Sequence, residues 1–332
     1  MLESNMVNFV SLAKHPAILK LSQHTLYQAL KLPGFCSAFN VFYQRASASQ
    51  QRLLHAAFAK IFRDHPAIKG LPPWKAHFAG QDYQIPLNPS QLWLHWDTAL
   101  SLNGHDTEVK LTYHYIWQQY RPQVFFDVGA NYGTHSLLLA RAGLRVVAFE
   151  PNPRCHDYFW QLMDANRCLP TLVKQGVGAR KDTLTLSYDP RETWNGQLGN
   201  RDTPTGQNPH KDWIHQEVEV TPLDDYIAEN GLTPDLMKID TEGFEQFVFE
   251  GASALLARQQ TFIIFESLRQ PENSSRPQIF EMLKRHHYAI HPLPWQGEQE
   301  NALSQADFVR STETNFIALP HHLLTKATAP LC

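Results

Sequence analysis

The sequence VFFDVGANYG at residues 124–133, continued by THSLLLARAG, decides the fold of the chain. An apolar run of β-forming residues ends at Asp127, and small residues follow at Gly129, Asn131 and Gly133 before an amphipathic segment begins. Glycine tolerates a positive φ and close backbone approach, and a helix that starts after such a turn presents unpaired N–H groups. The stretch therefore predicts a strand, a tight turn and a helix that can bind a ligand.

A second apolar run, LRVVAF at residues 144–149, ends directly before Glu150. Glu150 follows the glycine turn by about twenty residues, the spacing at which nucleotide-binding sheets place an acid for the ribose hydroxyls. A glycine turn in an unrelated α/β domain remains the alternative for the turn taken alone. With Asp127 before the turn and Glu150 after the next strand, we favour a half-fold that binds a nucleoside cofactor.

The charges around the turn indicate which cofactor is bound. A dinucleotide fingerprint has the pattern GxGxxG, whose middle glycine admits a pyrophosphate. Here Asn131 stands between Gly129 and Gly133, and the acid Asp127 would repel phosphate. S-adenosylmethionine fits better, because it has a ribose diol, an ammonium and a sulfonium but no phosphate. The same features argue against the alternative of an NAD-dependent oxidoreductase.

Composition narrows the class of protein. The chain has 332 residues, of which 43% are hydrophobic and 18% charged, enough for a packed core. Its net charge of −3 lacks the basic footprint of a nucleic-acid binder, so we expect no nucleic-acid partner. Four scattered cysteines predict neither disulfides nor a zinc site. The absence of a signal pattern and of a long apolar run predicts a cytoplasmic protein without membrane contact.

Residues 1–106 differ in composition from the rest of the chain, and their pattern predicts a mainly helical extension rich in aromatic residues. Leu54, Phe58, Ile61 and Phe62 share one helical face, which needs a surface to pack on. The extension would therefore cap the substrate or form a dimer contact. Residues 71–96, rich in tryptophan and proline, predict an ordered aromatic loop that either lines a pocket or fills a core.

The second domain is predicted to span residues 107–332. Its first helix covers residues 107–120, and Glu108 near the start is a candidate cofactor ligand, although an acid is also favoured there by the helix dipole. Val177, at the end of a third predicted strand at 172–177, is a further cofactor candidate. Residues 189–213 are rich in Asp, Asn, Gly and Pro and predict an inserted loop, either a substrate lid or a plain surface insertion.

A second chemical centre begins at Asp235 with DLMKIDTEGFEQFVFEGASALL. Residues 236–239 predict a strand, and Asp240 and Glu242 follow in the next turn. Another strand at 262–265 leads to Glu266. Strands that alternate with helices predict a parallel sheet covered on both faces, with the ligand site at the carboxyl ends of the strands. The acids of both centres fall at those ends.

These residues resemble the FkbM family of S-adenosylmethionine-dependent methyltransferases. The resemblance rests on VFFDVGANYGTHSL, VVAFEPNP, TPLDDY and PDLMKIDTEGFE, and it covers roughly residues 105–320. It implies an α/β fold of the class I methyltransferase type, a Rossmann-like doubly wound sheet of seven strands with an antiparallel last strand. It also implies O-methylation of hydroxyls on natural products or glycans. By position, the resemblance assigns the methionine end to Asp127, Gly129, Asn131 and Gly133, the ribose to Glu150, and the reaction side to Asp240 and Glu242.

The chemistry of the acceptor is open to more than one interpretation. Transfer to a neutral hydroxyl needs a base, for which Asp240 or Glu242 is the candidate, with His210 or His215 behind them. A structural role for Asp240 is the competing interpretation. A magnesium site formed by Asp240, Glu242 and Glu266 is another use of the acids, although we do not favour a metal. The sequence is also compatible with N-methylation of a peptide or small molecule and with a non-catalytic binding protein.

Overall fold

The contacts between Cα atoms divide the chain into two units, Met1–Asp106 and Thr107–Cys332. The computed structural model describes residues 16–47, 49–51, 53–54, 70–88, 99, 106–189, 192–200, 203–204, 213–268, 274–298 and 301–324. No helix in these ranges combines the length and the apolar character that crossing a membrane requires.

The described part of the first unit contains helices α1 (Pro16–Lys31) and α2 (Phe35–Arg45) and a hairpin of β1 (Trp74–Phe78) and β2 (Gln81–Ile85). The hairpin replaces the first part of the predicted aromatic loop. Trp74 is 0% exposed, contacts Phe35 and Phe39 edge to face, and donates its indole N–H to Asn40 Oδ1 at 2.9 Å. This tryptophan therefore fills a core rather than lining a pocket.

Several predictions for the N-terminal region concern residues that the structure does not describe. Phe58, Ile61 and Phe62, three of the four residues in the predicted apolar face, lie outside the described ranges, as do Trp93 and Trp96. The proposed role of residues 1–106 as a substrate cap or dimer element therefore stays a prediction.

In the second unit, strands and helices alternate as expected for an α/β domain. The strands are β3 (Val124–Val128), β4 (Arg145–Phe149), β5 (Thr171–Val173), β6 (Gly176–Val177), β7 (Asp182–Asp189), β8 (Glu192–Asn200), β9 (Thr203–Pro204), β10 (Ile214–Thr221), β11 (Leu236–Ile239), β12 (Phe262–Glu266), β13 (Tyr288–Pro292) and β14 (Asn315–Pro320). The helices are α3 (Thr107–Tyr120), α4 (Thr134–Arg141), α5 (Pro153–Ala165), α6 (Leu223–Asn230), α7 (Glu245–Glu250), α8 (Ser253–Arg258), α9 (Arg276–Arg285), α10 (Gln305–Arg310) and α11 (His321–Leu324).

Seven strands form the main sheet in the order β13-β14-β12-β11-β3-β4-β5. The neighbours from β12 to β5 pair in parallel, whereas β14 runs antiparallel to both β12 and β13. The predicted fold class, a Rossmann-like doubly wound sheet of the class I methyltransferase type with an antiparallel last strand, is confirmed. Because β3 and β11 are neighbours, the two chemical centres at their carboxyl ends meet at one edge of the sheet.

A second sheet replaces much of the predicted inserted loop. It has the order β6-β10-β7-β8-β9, in which β6 and β10 pair in parallel and the other neighbours pair antiparallel. The predicted strand at 172–177 is therefore two strands, β5 in the main sheet and β6 in the second sheet. One face of the second sheet packs Leu186, Leu198 and Val220 against Phe244. The insertion thus adjoins the segment that follows Glu242.

The segment after β11 forms two short helices, α7 and α8. The break comes at Gly251, where a Cβ atom would overlap the carbonyl oxygen of Gly178. The close approach of these two backbones therefore requires glycine and ends α7. Val248 of α7 and Leu255 of α8 lie in the core of the main sheet.

Candidate active site

The glycine turn after β3 is tied to the end of β4 by backbone hydrogen bonds. The N–H groups of Gly129 and Ala130 both donate to the carbonyl oxygen of Phe149, each at 3.0 Å. Asn131 has a φ of 51°, and its N–H donates to Glu150 Oε2 at 2.7 Å. The turn and the acid that were predicted to bind one cofactor are therefore in direct contact.

The glycines of the turn are required by packing as well as by φ. Gly129 has a φ of 81°, and a Cβ atom there would overlap the carbonyl oxygen of Asp240. Gly133 has a φ of 83°, and a Cβ atom there would come within 2.5 Å of the Phe159 ring. Gly129 thus lets the turn approach the second chemical centre, while Gly133 lets α4 begin against α5.

Glu150 is 7% exposed, and both of its oxygens accept backbone hydrogen bonds. Oε2 accepts from Asn131 and Oε1 accepts from the N–H of Asn152, each at 2.7 Å. Burial raises the pKa of Glu150 to about 7, although the two hydrogen bonds oppose the shift. Each carboxylate oxygen has a second lone pair, so the group can also accept hydrogen bonds from a diol.

Asp127 is buried, and Ser136 Oγ in the first turn of α4 donates to its Oδ2 at 2.6 Å. Burial raises the pKa of Asp127, against the opposing effects of His135, Ser136 and Lys238. The carboxylate that was predicted to face the methionine end of a cofactor is therefore held by the helix that follows the turn.

The acids of the second centre form a cluster with Lys238. Ligating oxygens of Asp240, Glu242 and Glu266 all lie within 4.8 Å of one another, and each residue is partly exposed. Lys238, whose side chain is 0% exposed, donates from Nζ to Asp240 Oδ2 at 2.9 Å. The sequence interpretation missed Lys238, although a charged residue within an apolar strand was a visible signal.

Burial and mutual repulsion weaken the acidity of this cluster. The pKa of Glu242 rises to about 7, first through burial and then through the charges of Asp240 and Glu245. The pKa of Glu266 rises to about 10, first through burial and then through Asp240, to which it is also hydrogen-bonded. Shared protons can hold carboxylates together at this distance, so the spacing by itself identifies no metal site.

Glu245, which also lies in this segment, has a structural role. It is buried, and its Oε1 accepts hydrogen bonds from the N–H and Oγ1 of Thr241 and from the N–H of Gly243, each at 3.0 Å. These bonds close the turn in which Glu242 adopts a φ of 54°. Glu245 therefore fixes the backbone that presents Glu242.

Glu108 lies at the side of the acidic cluster. Its Oε1 accepts a hydrogen bond from Asn315 Nδ2 at 3.2 Å across 207 positions of sequence. Asn315 pairs with Glu266 in the register of β12 and β14. Residues that face each other in an antiparallel pair have adjacent side chains, so this contact joins α3 to the reaction side. Nothing in the local sequence singled out Asn315.

Two other predicted residues, Val177 and His215, lie in β6 and β10 of the second sheet. The Val177 side chain is 1% exposed and belongs to the core of the main sheet, so a contact with a cofactor would have to come from its backbone. His215 is exposed on β10 and its Nδ1 lies 2.8 Å from Ser187 Oγ. His210 lies outside the described residues.

The chain resembles several solved methyltransferase structures at low identity. Methyltransferase FkbM from Methylobacillus flagellatus KT is 15% identical with a TM-score of 0.36, and the match covers 69% of this chain and 54% of that one. Precorrin-6y C5,15-methyltransferase from Geobacter metallireducens GS-15 is 12% identical with a TM-score of 0.34, covering 65% and 86%. The 16S rRNA N2 G1207 methyltransferase of T. thermophilus, in complex with AdoMet and guanosine, is 13% identical with a TM-score of 0.37, covering 76% and 53%.

The family of the second unit follows from its sequence. None of the curated proteins matches the chain. The family model described as the methyltransferase FkbM domain matches residues 127–290, a range that begins at Asp127 and includes both chemical centres. Residues 127–290 of this chain therefore form a methyltransferase FkbM domain.

Proposed function

We propose that the chain transfers the methyl group of S-adenosylmethionine to a hydroxyl oxygen of a glycan or a small secondary metabolite. The observation that carries the proposal is the close approach of Gly129 to the backbone of Asp240. The N–H of Asp240 also donates to the carbonyl oxygen of Val128 at 2.9 Å. A donor at the glycine turn and an acceptor at the acids would therefore be neighbours.

The residues of the donor side fit S-adenosylmethionine. Glu150 keeps lone pairs for the ribose hydroxyls. Gly133, which precedes α4, has no side chain to cap the helix, so the first N–H groups of α4 suit the carboxylate of the methionine part. When bound, S-adenosylmethionine supplies a methyl group already activated on a sulfonium. Glu108, Asp127 and Val177 remain further candidates for this side.

The protein then has two tasks, to orient the acceptor and to take its proton. Orientation of bound reactants can lower a barrier by about 7 to 11 kcal/mol. A neutral hydroxyl is a poor nucleophile, so a base within hydrogen-bonding reach accelerates the transfer. Asp240 and Glu242 are the candidate bases. The pKa of Glu242, about 7, suits it for proton exchange near neutral pH.

N-methylation is the second candidate, and the acidic cluster supports it. Oxygens of Asp240, Glu242 and Glu266 lie within 4.8 Å of one another and would accept hydrogen bonds from an alkylammonium group, and Glu242, with a pKa of about 7, would take its proton before transfer. The negative charge of Asp240 and of ionised Glu242 would repel an acceptor that carries phosphate near the reacting atom. We therefore propose a neutral or cationic small molecule or glycan as the acceptor, with no nucleic acid and no membrane partner. Cytoplasmic localisation and a homodimer stay predictions.

The decisive experiment uses the full chain with labelled S-adenosylmethionine and panels of polyhydroxy and amino acceptors, followed by mass spectrometric location of the label. We expect label on oxygen, with turnover at least about 100-fold lower in Asp240→Asn or Glu242→Gln. Glu281→Gln, which changes an exposed acid on α9, is the control. Label found only on nitrogen would replace the oxygen acceptor by an amine. Failure to bind S-adenosylhomocysteine would contradict the donor.

A further inference from the structure

Lys238 is a buried cation in the middle of the main sheet. It lies in β11, which has β3 on one side and β12 on the other, and its side chain is fully buried. In the parallel register Lys238 faces Asp127 of β3 and Ile264 of β12. Its ammonium nevertheless reaches the carboxyl end of β11, where it donates to Asp240 Oδ2 at 2.9 Å.

Carboxyl groups from each adjoining element interact electrostatically with this ammonium. Asp127 comes from β3 and Glu266 from β12, while Asp240 and Glu242 come from the loop after β11. Burial is the main cause of the raised pKa of Asp127, Glu242 and Glu266, and the charge of Lys238 opposes the rise in all three. Glu245 of α7 adds a further negative charge beside Glu242. One lysine therefore acts on both the donor-side and the reaction-side acids.

A buried ion pair contributes little to the net free energy of unfolding. Removing two charges from water costs several kcal/mol, and packed apolar residues of similar size often stabilise a protein equally well or better. Here the lysine pairs with a carboxylate that remains partly exposed, because the Asp240 side chain is 32% accessible. Lys238 thus fixes Asp240 Oδ2, and Glu266 is hydrogen-bonded to the same carboxyl group.

We propose that Lys238 is a positioning residue for methyl transfer, whose ammonium holds the Asp240 carboxyl group in place beside the glycine turn. Lys238 acts through Asp240 and need not touch the donor or the acceptor. The inference rests on the proposed function, because it assumes that the glycine turn holds the donor.

The test compares the affinities of S-adenosylmethionine and S-adenosylhomocysteine by calorimetry between pH 5.5 and 9. The donor has a cationic sulfonium that the product lacks, so the ratio of the two affinities measures negative charge near the sulfur. In the natural chain we expect this ratio to rise with pH as the carboxyl cluster loses protons. Lys238→Met should move the midpoint of that rise upward by about one pH unit or more, a tenfold change in proton affinity, while Lys238→Arg should leave it in place.

The variant Asp240→Asn is a second test, independent of the Lys238 variants, because it keeps the lysine and removes the carboxylate. It should lower the affinity ratio about tenfold above the midpoint, since one negative charge is lost near the sulfonium. An unchanged ratio in Asp240→Asn, or an unchanged midpoint in a folded Lys238→Met, would overturn the inference. If the natural chain binds neither ligand, the proposed donor is wrong, which is a different outcome from binding with an unchanged ratio.

Discussion

Replacement of Gly129 by alanine would test the contact on which the proposed site depends. Gly129 has a φ of 81°, and a Cβ atom there would overlap the carbonyl oxygen of Asp240. Gly143 is a matched control, because its φ is 93° but a Cβ atom there would meet nothing within 4 Å. The two alanine variants therefore share a left-handed backbone and differ in the steric overlap.

The expected magnitudes follow from these two environments. A left-handed conformation costs a residue with a Cβ about 1 to 2 kcal/mol, which is the whole effect expected for Gly143→Ala. Overpacking adds about 1 to 3 kcal/mol at Gly129, because the backbone of Asp240 must move. Gly129→Ala should therefore lower the free energy of unfolding by about 2 to 5 kcal/mol. The difference between the variants corresponds to roughly 2 to 12 °C in Tm for a domain of this size.

Thermal unfolding and calorimetric binding of S-adenosylhomocysteine would measure both consequences. Gly129→Ala should weaken the affinity for this ligand at least about tenfold, because the turn and Asp240 can no longer keep their present distance. Gly143→Ala should bind the ligand as the natural chain does. Equal losses of stability in the two variants, together with normal binding by Gly129→Ala, would refute the claim that the turn and Asp240 are in required contact.

Three further predictions concern other groups of the second unit. Burial raises the pKa of Glu150 to about 7, and a ribose diol would donate hydrogen bonds to its ionised form. The affinity for S-adenosylhomocysteine should therefore rise as the pH increases through 7 and then level off. Calorimetry of Glu150→Gln should show no such rise. Arg276 is 0% exposed and donates to the carbonyl oxygens of four residues, Ser267, Phe308, Ser311 and Glu313. Arg276→Lys should lower the free energy of unfolding, measured by thermal unfolding, by about 2 to 5 kcal/mol because most of these hydrogen bonds are lost. The control Arg285→Lys, at the exposed end of the same helix, should lower it by under about 0.5 kcal/mol. Similar losses in the two variants would contradict this role of Arg276. Glu245→Ala removes the acceptor of the N–H groups of Thr241 and Gly243 and should lower the free energy of unfolding, measured by chemical denaturation, by about 2 to 4 kcal/mol. The control Glu250→Ala, at an exposed position, should leave the stability nearly unchanged. A Glu245→Ala variant as stable as the natural chain would show that the turn does not need these hydrogen bonds.

Local sequence was sufficient to predict those segments whose structure follows from their own hydrophobic pattern and turn residues. The run from Val124 to Val128 and the glycines after it predicted a strand, a turn and a helix, and β3 and α4 have this form. The sharp turn follows from glycine itself, since both Gly129 and Gly133 have a positive φ. Glu150 was likewise expected at the end of the next strand, and it lies directly after β4.

Local sequence was insufficient to predict a strand that forms through hydrogen bonds to neighbouring strands. The strand β8 has the sequence ETWNGQLGN, whose asparagines and glycines are poor β-formers without regular alternation. Pairing with β7 satisfies its backbone groups, so the segment extends in spite of its composition. The prediction of a loop at residues 189–213 was therefore wrong for β8.

By itself, the sequence determined the order of strands and helices, the glycine turn after Asp127 and the acids that end the strands. These features depend on backbone preference and on hydrophobic periods of a few residues, which a linear chain displays directly. The tertiary structure alone decided that Gly129 meets Asp240 and that Asn315 bonds to Glu108. Such contacts join residues more than a hundred positions apart, and they arise only when the sheet places β3, β11, β12 and β14 at one edge.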